Sequence, residues 1–180
     1  MYIQIGKSFR QQIAIRQPAI FIFGRQPGHG DNTGDQLIQR IFTEITRRHN
    51  GLTPADKGPQ AKLLAIIFTS NHCPSAQAYE ERIKKIVLDY KEKGVQVVGI
   101  NPNSARGLRL DELGYTDLGD TFDDMKIRAR DHRFNFHYLD DGGKQDTARA
   151  YGCKVTPHAF LFDAGRKLRY VGRIDDNERE

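Results

Sequence analysis

Cys73, between His72 and Pro74, is the residue in this sequence best placed to act as a nucleophile. It follows a continuous apolar run, Leu63-Leu64-Ala65-Ile66-Ile67-Phe68, and a polar corner, Thr69-Ser70-Asn71-His72. A long helical pattern comes after it. The apolar run reads as a strand covered on both faces of a parallel sheet. A cysteine at the first turn of a helix meets unsatisfied backbone N–H groups and the positive end of the helix dipole. Both favour thiolate over thiol, and the thiolate is the nucleophile. The competing reading is a buried, inert cysteine, because free Cys packs as a small hydrophobe. Pro74 at the first helical position and the polar residues before Cys73 favour an exposed corner instead.

The chain has two cysteines, Cys73 and Cys153. They are too few for a disulfide scaffold and lack metal-finger spacing. Either a reactive thiol in a reducing compartment or one redox pair fits that count.

The elements that must position Cys73 can be read from periodicity. Ala76, Tyr79, Ile83, Ile86, Val87 and Tyr90 form one apolar stripe, with Glu80, Glu81, Lys84, Lys85, Lys91 and Lys93 largely off it. Gly94 ends that helix, and residues 95–101 form a second buried strand. Residues 102–120 form a loop longer than usual, which marks it as a functional candidate. Thr121 caps a helix with Phe122, Met125 and Ala129 on one side. A strand over 134–139 and a helix over 144–151 follow. Two last strands, 159–162 and 168–171, close across the turn at 163–166. The pattern describes an α/β sheet whose final two strands are antiparallel, with the start of the Cys73 helix at the carboxyl end of a strand.

Residues 1–60 read as a separate, atypical β–α segment. Residues 18–23 suggest a strand; Leu37, Ile38, Ile41, Phe42 and Ile45 fall at helical spacing after a capping-box pattern at Thr33 and Gln36. Gly24, Gly28 and Gly30 lie between them. No Lys-Ser/Thr pair follows and Gly-x-Gly-x-x-Gly spacing is absent, so a flexible turn is preferred to a phosphate loop and no cofactor is expected.

With 180 residues, 38% hydrophobic and 28% charged, the chain fits one ordinary globular domain. Most of the net charge of +5 comes from the first third, where eight Lys or Arg oppose four Asp or Glu. Those cations are scattered rather than clustered with stacking aromatics, which argues against nucleic acid as a partner. The apolar runs are far short of a bilayer span, so no membrane partner is expected. Arg10, Gln11, Gln12, Arg16 and Gln17 interrupt any signal-peptide core. A cytoplasmic location is the expectation.

Phe68-Thr69-Ser70-Asn71-His72-Cys73-Pro74-Ser75-Ala76, with Thr156-Pro157 far downstream, resembles the thioredoxin superfamily. More closely the sequence resembles its redoxin group (alkyl hydroperoxide reductase/thiol-specific antioxidant), in the peroxiredoxin-like branch. Asn101-Pro102-Asn103, Tyr138-Leu139-Asp140-Asp141, Tyr151-Gly152 and Gly172-Arg173-Ile174-Asp175-Asp176-Asn177 add to the likeness, which covers about residues 60–177. The resemblance implies a thioredoxin-like α/β fold over residues 61–180, a central mixed sheet flanked by helices. It implies that Pro157 is a cis-proline facing the reactive cysteine, and that Thr156 offers its backbone to an incoming thiol substrate.

Three departures from the resemblance bear on activity. Ala76 stands where a thioredoxin has its second cysteine, so a mixed disulfide at Cys73 has no adjacent thiol to resolve it. Ile67 aligns with the carboxylate buried under a thioredoxin's site. The Pro-x-x-x-Thr-x-x-Cys pattern of a peroxiredoxin is absent, which counts against peroxidase chemistry.

The first functional expectation is therefore a thiol-dependent redox protein, a thiol–disulfide oxidoreductase or antioxidant. Cys73 is its nucleophile, His72 favours the thiolate, and Thr156 and Pro157 form the substrate loop. An external thiol or a disulfide-bearing protein is the partner, and Cys153 is the other thiol that could resolve the product. The alternatives are a metal-binding or assembly module using Cys73, His72 and His158, which the resemblance brings near one another, and a redox-inert interaction domain.

Overall fold

A computed structural model of the chain describes residues 62–107, 118–165 and 167–177. The strand and helix expected before residue 61 and most of the 102–120 loop lie outside the described residues. β1 (Leu63–Phe68) leads into α1 (Pro74–Tyr90), a short 3-10 turn at Lys91–Lys93 and β2 (Val95–Asn101). α2 (Phe122–Asp131), β3 (His137–Asp140), α3 (Asp146–Tyr151), β4 (His158–Asp163) and β5 (Leu168–Gly172) follow. The five strands form one mixed sheet in the order β3-β2-β1-β4-β5. β1 pairs in parallel with β2, from Leu63 opposite Val95 to Phe68 opposite Ile100, and β2 pairs in parallel with β3. β4 runs antiparallel to both β1 and β5. This is the thioredoxin-like architecture, with the central strand running up to the Cys73 corner.

The uninterrupted apolar run of β1 reflects burial on both faces, with its side chains split by the strand's period of two. Ala65 and Ile67 join Tyr79, Ile83 and Ile86 of α1 with Val97, Ala159, Leu161 and Ile174. Leu64, Ile66 and Phe68 join Ala148 of α3 with Val98, Ile100, Phe160 and Phe162 on the other face. Gly94 closes the 3-10 turn that follows α1, in the left-handed region at φ 81°, which favours glycine there.

Three local expectations need correction. In α2 the buried residues are Met125 and Arg128, while Phe122 is exposed. Glu80, placed off the apolar stripe by its charge, is buried. One fact explains both: Arg128 Nε donates to Glu80 Oε1 at 2.6 Å, and a buried charge requires such a partner. The third strand is shorter than the 134–139 stretch, because Phe134 and Phe136 stack on each other, centroids 4.7 Å apart, before the ladder begins at His137.

Candidate functional site

The corner after β1 is built from main-chain and side-chain hydrogen bonds. Thr69 N continues the β1 pairing by donating to Ile100 O at 2.9 Å. Asn71, 1% exposed, is then held at every polar group. Its backbone N–H donates to Asp120 Oδ1 at 2.8 Å and its Nδ2 to Gly119 O at 2.7 Å. Its Oδ1 accepts from Tyr138 OH at 3.1 Å, and its carbonyl accepts from Gln77 Nε2 at 2.7 Å. Burial, with Asp120 next in effect, holds the Tyr138 phenol well above its ordinary range, so it stays a donor.

Cys73 is the N-cap of α1, with extended backbone at φ −71° and ψ 118°. Its side chain caps no N–H group of the helix; the thiol donates instead to Thr156 O at 3.4 Å. The Thr156–Pro157 peptide is cis, the geometry the resemblance implied. Ser70 Oγ lies 3.4 Å from Thr156 Oγ1. The corner and the proline loop thus meet at two contacts, and they bring Cys73, Thr156 and Pro157 together.

His72, one residue before the thiol, turns its Nδ1 to Asp120 Oδ2 in a short hydrogen bond. The Asp120 side chain is fully buried. Besides His72 and Asn71 N, it accepts from Asn101 Nδ2 and from Asn103 Nδ2, each at 2.9 Å. Sequence reasoning missed this carboxylate. Asp120 lies outside any helix or strand, just before α2, where no periodicity marks a residue as buried; the available cue was an acid directly before the capping Thr121. Ile67, in the thioredoxin carboxylate position, is simply core. A buried carboxylate is nevertheless supplied from elsewhere in the chain, and it reaches the corner through His72. A recess of about 490 Å³ bordered by Asn103, Ser104, Arg106, Asp120 and Asp140 shares two residues with this cluster.

Cys153 stands apart from these contacts. It packs against the α3-side core and its thiol donates to Val155 O at 3.4 Å. Burial pushes that thiol up to about 11. Both cysteines are free. His158 opens β4 opposite Phe68, with its ring 4.6 Å from that of Phe160. Burial, and then Lys154, depresses its protonation. The metal set of Cys73, His72 and His158 is not assembled: among the described residues no three His, Cys, Asp or Glu side chains are grouped to hold a metal ion. His72 is committed to Asp120 instead.

Residues 50–171 match the AhpC/TSA family. A hypothetical protein SMc02350 from Sinorhizobium meliloti 1021 is 33% identical, with a TM-score of 0.57, over 66% of this chain and 59% of that one. An uncharacterized conserved protein from Geobacillus kaustophilus is 32% identical, also with a TM-score of 0.57, over 65% of this chain and 57% of its own. The chain thus spans less than two thirds of the length of either. No curated protein matches it.

Proposed function

The chain belongs to the AhpC/TSA family, and from that premise we propose that it is a thiol–disulfide redox protein with Cys73 as its single attacking sulfur. The observation that carries this reading is the Cys73 thiol at a helix N-cap, 3.4 Å from the carbonyl of Thr156 beside cis-Pro157. Cys73 sulfur attacks one sulfur of a disulfide, the S–S bond breaks, and the other half leaves as a thiol. A mixed disulfide remains on Cys73. Ala76 holds no sulfur to displace it, so an external thiol attacks the mixed disulfide, carries the bound half away and returns Cys73. The partners are accordingly a disulfide-bearing protein or small disulfide and a separate reducing thiol. That cycle suits a reducing compartment such as the cytoplasm.

The test compares Cys73→Ser and Cys153→Ser in disulfide exchange with a chromogenic aryl disulfide. Loss of the fast reaction in Cys73→Ser alone supports the proposal. Equal loss in Cys153→Ser would move the chemistry to a two-cysteine cycle.

A further inference from the structure

We propose that Asp120 is a positioning residue for His72, and that His72 relays a proton from the Cys73 thiol to the departing sulfur. This rests on the thiol–disulfide reading above and names the group that moves the proton in it.

The hydrogen bonds around Asp120 decide how the imidazole is held. Asp120 Oδ1 accepts from Asn71 N and from Asn101 Nδ2. The Asn101 amide can only be oriented that way, because its Oδ1 accepts from the backbone N–H of Asn103 at 3.0 Å. Oδ2 accepts from Asn103 Nδ2. Two of the four groups, the Asn71 N–H and the Asn101 amide, are fixed as donors, Asn103 Nδ2 lies at donor distance, and both oxygens act as acceptors. The fourth group, His72 Nδ1, has two neighbours, Asp120 Oδ2 in the short contact and Asn103 Nδ2 at 3.4 Å; the shorter, carboxylate contact places hydrogen on Nδ1. In the neutral ring that leaves Nε2 with its lone pair, and among the described residues no group engages Nε2. A nitrogen able to accept and return a proton is thus carried on the residue directly before the nucleophile. The base and its orienting carboxylate are in contact here, while the Cys73 thiol rests on Thr156 O; the relay assigns the meeting of Nε2 and the thiol to the encounter with the disulfide.

The Cys73 S–H bond breaks and its proton passes to His72 Nε2, forming an imidazolium whose Nδ1–H stays on Asp120. Cys73 sulfur then forms a bond to one sulfur of the disulfide. The S–S bond breaks, its electron pair leaves with the second sulfur, and that sulfur takes the proton from Nε2. His72 ends neutral and no oxidant or reductant beyond the disulfide is consumed.

The test uses two probes. An aryl disulfide releases an acidic thiol that departs without a proton; hydroxyethyl disulfide releases a basic alkyl thiol that needs one. Rates are measured across pH for the wild type, His72→Gln and Asp120→Asn. The alkyl-to-aryl rate ratio is expected to fall about tenfold or more in His72→Gln, a conservative share of what general acids contribute. Asp120→Asn should show the same direction of change. Nitrogen-15 shifts of His72 in the wild-type protein should report hydrogen on Nδ1, which keeps the positioning claim testable even where Asp120→Asn does not fold. An unchanged ratio in His72→Gln, or hydrogen on Nε2 alone, overturns the relay while the Cys73 chemistry stands. Failure of the wild type to react with either probe overturns both.

Discussion

Arg128 Nε lies 2.6 Å from Glu80 Oε1, with both side chains only 7% exposed. The pair ties α2, which follows Asp120, to α1, which follows Cys73. His132 Nδ1 lies 2.8 Å from the other oxygen of Glu80. Removing Arg128 strands a buried carboxylate with only the half-exposed His132 beside it. Arg128→Ala is expected to lower stability by about 3–5 kcal/mol, whereas Glu80→Met with Arg128→Met should lose far less. Chemical denaturation of the two proteins measures this, and a loss below about 1 kcal/mol in Arg128→Ala would contradict it.

Close packing at Gly99 sets a second expectation. A Cβ there would sit 2.9 Å from Phe136 Cε2 and 3.3 Å from Tyr138 Cδ2. Gly99→Ala should therefore cost about 1–3 kcal/mol. Trimming the ring in Gly99→Ala/Phe136→Leu should give less than the sum of the two single losses, because the clash is gone. Additive losses would show that the strand shifts instead.

The two thiols should separate by pH. With its value pushed up to about 11, Cys153 alkylates slowly at neutral pH, and its rate should climb about tenfold per pH unit until that value is approached. Cys73, at the helix N-cap, should alkylate first. Iodoacetamide labelling read by peptide mass checks the order, and faster labelling of Cys153 at pH 8 would contradict it.

His158 contributes to acid sensitivity. Its folded-state value lies below the ordinary one, burial being the main cause. As pH falls below about 6.5 the unfolded chain binds a proton there before the folded chain does, so stability is present above that pH and lost as pH falls through the folded value. His158→Leu should flatten that part of the stability–pH curve between pH 7 and 5, whatever it does to stability at neutral pH. An unchanged slope would show that other groups dominate the loss.

Much of the fold could be read from local pattern. The β1 run, the α1 stripe ending at Gly94 and the two closing strands are set by periods of two and 3.6 and by turn residues, which single sequences carry. The Cys73 corner was legible for the same reason, since a cap position is a local feature. Asp120 was not, because its burial comes from Asn71, Asn101 and Asn103 converging on it from separate segments. Glu80 reads as an outward residue for its charge, and only its pairing with Arg128 across two helices puts it inside. Helix α3 begins two residues later than its pattern suggests. Asp141, upstream of it, accepts from Thr147 N and Ala148 N at 2.9 and 2.8 Å and so fixes the start.

The central claim is that Cys73 attacks disulfides alone, without Cys153. Trapping the adduct tests it most directly: the protein is mixed with a small disulfide, quenched with acid and mapped by mass without reduction. The account predicts one mixed disulfide per chain, on Cys73, absent in Cys73→Ser and released by excess thiol. A Cys73–Cys153 linked peptide from monomer, or an adduct mainly on Cys153, would contradict it.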